Sequence, residues 1–98
     1  AVSAAGTTQG TATALTSNVN HVTTVAASSG VILPTPTVAG LRITLRNGGA
    51  NNLNVYPHSG GNIAGTGTNA AISLDIGTTL DFIAFDTTNW HIPSAVLS

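Results

Sequence analysis

The chain has no cysteine, no lysine and no glutamate. Without cysteine, disulfides and thiolate metal sites are excluded, and cysteine usage says nothing of the redox compartment. Its only charges are Arg42, Arg46, Asp75, Asp81 and Asp86, or 5% of residues, against about 25% in ordinary soluble domains. A formal net charge of −1 creates no long-range field to steer a polyanion, so nucleic acid and anionic membrane are set aside as partners. No run approaches the roughly 20 apolar residues of a membrane helix, and no basic-then-apolar start marks a signal peptide. Solubility must come from Thr, Asn, Ser and Gly, a neutral polar surface suited to lying against protein or glycan.

The 41–57 stretch is the most informative. Leu41, Ile43 and Leu45 alternate with Arg42, Thr44 and Arg46, and after a Gly/Asn-rich break Leu53 and Val55 resume the alternation. A period of two on both sides of a turn is the pattern of half-buried antiparallel strands. The same pattern recurs. Residues 13–25 are rich in Val, Thr and Leu, and 31–33 form a short apolar run ended by Pro34 and Pro36, whose missing N–H groups forbid a central ladder position. Residues 62–64 make at most a short edge strand. Ile72 and Leu74 point inward, and Leu80, Phe82 and Ala84 oppose Thr79, Asp81, Ile83 and Phe85. Apolar groups on both faces of this last strand imply that it is covered on two sides, and 90–92 make a final strand before Pro93.

No window keeps a 3.6-residue period. About eight short strands between Gly, Pro and Asn turns define an all-β chain, a single small antiparallel β-sandwich of jelly-roll or immunoglobulin-like type. Ninety-eight residues make one domain with a thin core, for which oligomerisation is a natural supplement. Residues 1–11, small and aperiodic, read as a flexible N-terminal arm, leaving 12–98 as the sandwich.

The segments Gly30–Pro34, Gly40–Asn47, Asn52–Pro57 with Gly60–Ile63, Asn69–Leu74, Gly77–Phe82 and the terminal Trp90 together resemble a small β domain recurrent in virion proteins of tailed bacteriophages. The resemblance spans about residues 12–92 and rests on turns and core positions. It implies a structural protein most like a capsid decoration (cement) protein on the outer capsid surface of the virion. The implied partners are the major capsid protein and two further copies in a homotrimer. The family brings no catalytic residues and no cofactor.

Individual side chains point the same way. His21, His58 and His91 lie far apart with no partner at ligand spacing, so they read as solvent-facing or turn residues and no metal site is expected. Ser59, His91 and Asp86 lack the nucleophile elbow of a hydrolase, and the acids form no glycosidase pair. No enzyme is expected. Arg42 and Arg46, about 13 Å apart on one strand face, read as an exposed pair opposite Asp81 or as a docking pair for carboxylates, since guanidinium groups bind carboxylates bidentately. Ala1, Val2 and Ser3 complete the docking candidates if the arm adds a strand to a neighbour. Trp90 closes the core with Phe82 or Phe85. Tyr56, beside Pro57 and a Gly-rich turn, is the aromatic expected at the surface, and it supports the alternative of a tail-fibre or spike adhesion module binding host glycan.

Overall fold

A computed structural model describes residues 2–65 and 67–92. The chain is all-β, with ten short strands in two sheets and one 3₁₀ turn at Gln9–Thr11 among the described residues. The strands are β1 (Val2–Ser3), β2 (Thr13–Ala14), β3 (Val19–Thr24), β4 (Gly30–Ile32), β5 (Arg42–Asn47), β6 (Leu53–Tyr56), β7 (Asn62–Ile63), β8 (Ile72–Leu74), β9 (Thr79–Ala84) and β10 (Asn89–His91). One sheet runs β1-β3-β5-β9-β10-β7 and the other β2-β4-β6-β8.

The alternation does what period two requires. Ile43 and Leu45 of β5, Leu53 and Val55 of β6, and Phe82 and Ala84 of β9 are buried, and they share one core with Val22, Val31, Ile63, Leu74 and Trp90. Each buried branched or aromatic side chain contributes about 1.5–3 kcal/mol relative to exposure.

The winding departs from an antiparallel sandwich. Through β6 the chain alternates between sheets, and each return lays a strand parallel to the previous one: β3 beside β1, β5 beside β3, β4 beside β2 and β6 beside β4. Val31 thus sits between Thr13 and Val55 in register. Among the described strands, only the pairs β8 on β6, β9 on β5 and β10 on β9 are antiparallel. This excludes jelly-roll and immunoglobulin-like order for the first six strands, and β5 and β6 are not a hairpin. Parallel neighbours need a long crossover, and here the crossover is a strand of the opposite sheet. Alternation reports which side of a strand is buried; it carries no information on the direction of its neighbours.

Residues 2–11 also differ from a free arm. Val2 and Ala4 pack on the core, the Ala4 N–H donates to the Thr24 carbonyl at 2.9 Å, and Ala5 exchanges main-chain bonds with Gly30 at 3.1 and 3.2 Å. The Gln9 amide donates to the Pro57 carbonyl at 2.8 Å and to Asn69 Oδ1 at 3.0 Å. Main-chain pairing uses groups that every residue has, so a small-residue composition does not betray it.

The turn between β5 and β6 presses on the end of β3. A Cβ at Gly49 would lie 2.7 Å from Val25 Cβ and 2.8 Å from its backbone nitrogen, atoms that cannot swing aside. Gly49→Ala is expected to lower stability by about 1–3 kcal/mol in urea unfolding, whereas Gly10→Ala, with nothing within 4 Å of the added carbon, leaves the midpoint nearly unchanged.

Candidate functional site

The outer face of the six-stranded sheet concentrates the chemistry of the chain. Residues 1–41 contain no charged side chain, and neither do the described strands of the four-stranded sheet. All five charges lie on β5, on β9 or in the turns flanking β9. Strand register arranges the outward residues in rows: His21 beside Arg46 and Thr79, Val19 beside Thr44 and Asp81, Arg42 beside Ile83 and His91.

Asp81 organises the centre. It accepts a hydrogen bond from Thr44 Oγ1 at 2.6 Å and faces Arg42 at 3.7 Å. With the two side chains 57% and 32% exposed, the ion pair contributes at most about 1 kcal/mol, so the Arg42 fork remains available to a carboxylate outside the domain. Arg46 donates to the Gly77 carbonyl at 3.2 Å and to Thr79 Oγ1 at 3.3 Å, which fixes its direction. Apolar groups adjoin these charges. Val19 is 74% exposed and Phe85 61%, and the Phe85 ring lies against His91 with centroids 4.1 Å apart.

The turn that presents Phe85 is stiffened by Asp86. Its carboxylate accepts from the Asn89 side-chain amide at 3.2 and 3.0 Å and from the Thr88 and Asn89 backbone N–H groups, each at 2.8 Å. These donors, the Asn89 amide foremost, stabilise the ionised form and hold the carboxyl below the usual aspartate range.

Arg42 and Arg46 therefore share one face. Val2 and Ser3 form the edge strand of the same sheet but pair within the chain, with β3; Ala1 lies outside the described residues. Tyr56 is not a free aromatic: it is half-buried, its hydroxyl donates to the Thr7 carbonyl at 3.1 Å, and a Cβ at Gly30 would come within 2.9 Å of its ring. Phe82 and Trp90 are fully buried while Phe85 points out, because Phe85 continues the outward parity of Asp81 and Ile83. The outer face of β9 is accordingly open, not covered. His21 and His91 are exposed, whereas His58 is buried and accepts a hydrogen bond from Trp90 Nε1 at 3.2 Å.

Among the described residues no three His, Cys, Asp or Glu side chains gather to hold a metal ion, and no hydrogen bond joins Ser59, His91 and Asp86. No helix among them is long and apolar enough to cross a membrane. Val19, Ile83, Phe85 and His91 are the site residues that sequence reasoning missed. For Ile83 and Phe85 the available signal was their shared parity with Asp81 along β9; Val19 and His91, on β3 and β10, join the face only through strand pairing.

No protein-family model matches the chain, and comparisons with curated proteins and with solved structures return no match.

Proposed function

We propose that the chain is a non-enzymatic virion structural protein, a decoration protein that seats on an assembled bacteriophage capsid and stabilises it. The observation that carries this reading is the outer face of the six-stranded sheet. It joins both arginines to exposed Val19 and Phe85, and the charges outside it are the exposed Asp75 and Asp86 in the turns flanking β9. Apolar anchors rimmed by arginine suit a protein interface, and the resemblance supplies the class of partner. In this reading Arg42 and Arg46 meet carboxylates of the major capsid protein, Val19 and Phe85 desolvate the contact, and three copies surround a junction of capsid subunits. Binding the assembled lattice in preference to free subunits opposes disassembly, and symmetry multiplies each weak contact. The fibre-adhesion alternative loses its aromatic support, since Tyr56 is engaged and Trp90 is buried.

The copy number of the chain per virion, measured by quantitative mass spectrometry against the major capsid protein, tests this proposal. Decoration requires a stoichiometry that scales with the capsid subunits. A handful of copies per particle would replace it with a vertex or fibre role.

A further inference from the structure

A second place in the molecule has the chemistry of a ligand site, on residues separate from the docking face. At one end of the two sheets an open depression of about 430 Å³ is lined by Ala27, Ser28, Asn51, Asn52, Asn54 and Ile76. Three turns and one strand meet there. The turn after β3 supplies Ala27 and Ser28, the β5–β6 turn supplies Asn51 and Asn52, the outer face of β6 supplies Asn54, and the turn before β9 supplies Ile76.

Two of the carboxamides are held in place. Asn51 Nδ2 donates to the Val25 carbonyl at 2.8 Å, and Asn54 Nδ2 donates to the Ser28 carbonyl at 3.2 Å. The Asn51 carbonyl in turn accepts from the buried Asn47 amide at 2.9 Å. One hydrogen of each nitrogen is thereby engaged, which orients both Oδ1 atoms, and neither Oδ1 accepts a hydrogen bond among the described residues. The Asn52 side chain makes none there either. Ser28 lines the depression on a left-handed backbone, φ +63°, a conformation that costs a non-glycine residue energy. Ile76, 56% exposed, adds an apolar wall.

The lining excludes most ligand classes. It contains no charged side chain, so neither a phosphate nor a metal ion would find a counter-charge. Fixed carboxamide acceptors, a free amide, a hydroxyl and one aliphatic surface match a ligand with many hydroxyls and weakly polar C–H faces. The volume is within the range of small-molecule sites, about 300–1,000 Å³. We propose that this depression binds a neutral oligosaccharide, with Asn51, Asn52 and Asn54 on its hydroxyls and Ile76 against a ring face.

The test is a ¹⁵N–¹H NMR titration of the full chain with maltotriose, chitotriose and lactose. At least one sugar is expected to shift the amides of Ser28, Asn51, Asn52, Asn54 and Ile76 together. Asn52→Ala, which breaks no internal hydrogen bond, is expected to weaken that binding about fivefold, and Arg42→Ala to leave it unchanged. The proposal is overturned if none of the three sugars moves these amides at about 10 mM, the millimolar range of weak binding. It is equally overturned if the shifts survive Asn52→Ala undiminished or map to the β5–β9 face. None of these outcomes depends on capsid binding.

Discussion

Trp90→Ala is expected to lower the stability of the domain by about 3–5 kcal/mol, the usual cost of truncating a buried aromatic. Domains of this size are stable by only about 5–15 kcal/mol, so the variant should be partly unfolded near physiological temperature. Trp90 is fully buried on β10, between Ala84 of β9 and Ile63 of β7, and its loss opens a cavity across three strands. The indole N–H also holds His58, whose ring packs so closely over Gly61 that a Cβ there would lie 2.5 Å from its Cε1. Trp90→Phe keeps most of the burial but removes the donor and part of the ring volume, so it should cost about 1–3 kcal/mol by leaving His58 Nδ1 unpaired and a small cavity behind. A double-mutant cycle with His58→Ala should give a coupling energy of about 0.5–3 kcal/mol. The chain's single tryptophan is the mutated residue, so unfolding in urea is followed by far-UV circular dichroism. A Trp90→Ala midpoint equal to that of the parent would contradict the packing described.

The second large effect is expected at Asn47. This side chain is fully buried at the end of β5. It donates to the Asn51 and Leu74 carbonyls, both at 2.9 Å, and accepts from the Gly49 N–H at 3.0 Å. It therefore ties the turn that crosses between sheets to β8 of the far sheet, and no apolar residue can replace it. Asn47→Leu should cost about 3 kcal/mol, at roughly 1 kcal/mol for each hydrogen bond lost. Asn47→Asp should be worse at neutral pH, because a carboxylate would face two carbonyl oxygens with no proton to offer. Urea midpoints of the two variants, ordered Leu above Asp and both below the parent, are the expected result. The reverse order would mean that the amide hydrogens do not carry the contact.

How much of this was legible beforehand depends on what each signal reports. The inward set Ile43, Leu45, Leu53, Val55, Leu74, Phe82 and Ala84 follows from alternation alone, because side-chain parity is a local property of an extended chain. The edge position of Asn62–Ile63 follows from its shortness. Sheet membership was not legible: Leu45 and Leu53 read as partners across a turn, yet they line opposite walls of one core. The folded state of residues 2–11 was hidden for a related reason, since it rests on main-chain bonds and on long-range acceptors such as Pro57. His58 looked like a turn residue by its glycine neighbours, and only the return of Trp90 on the last strand buries it. On the candidate face, Arg42 and Arg46 were visible as the only cations. Val19 and Phe85 were not, because an apolar outward residue reads as covered until the fold shows nothing over it.

Under the proposed function, the outer face of the six-stranded sheet is the surface by which the chain docks. Hydroxyl-radical footprinting, comparing the free chain with the chain on intact particles, addresses it directly. Phe85, His91 and Val19 should lose most of their labelling on the particle, while Ile76 and Tyr56 keep theirs. Undiminished labelling of Phe85 and His91, with protection at Ile76 or Tyr56 instead, would place the interface elsewhere on the domain and contradict docking through this face.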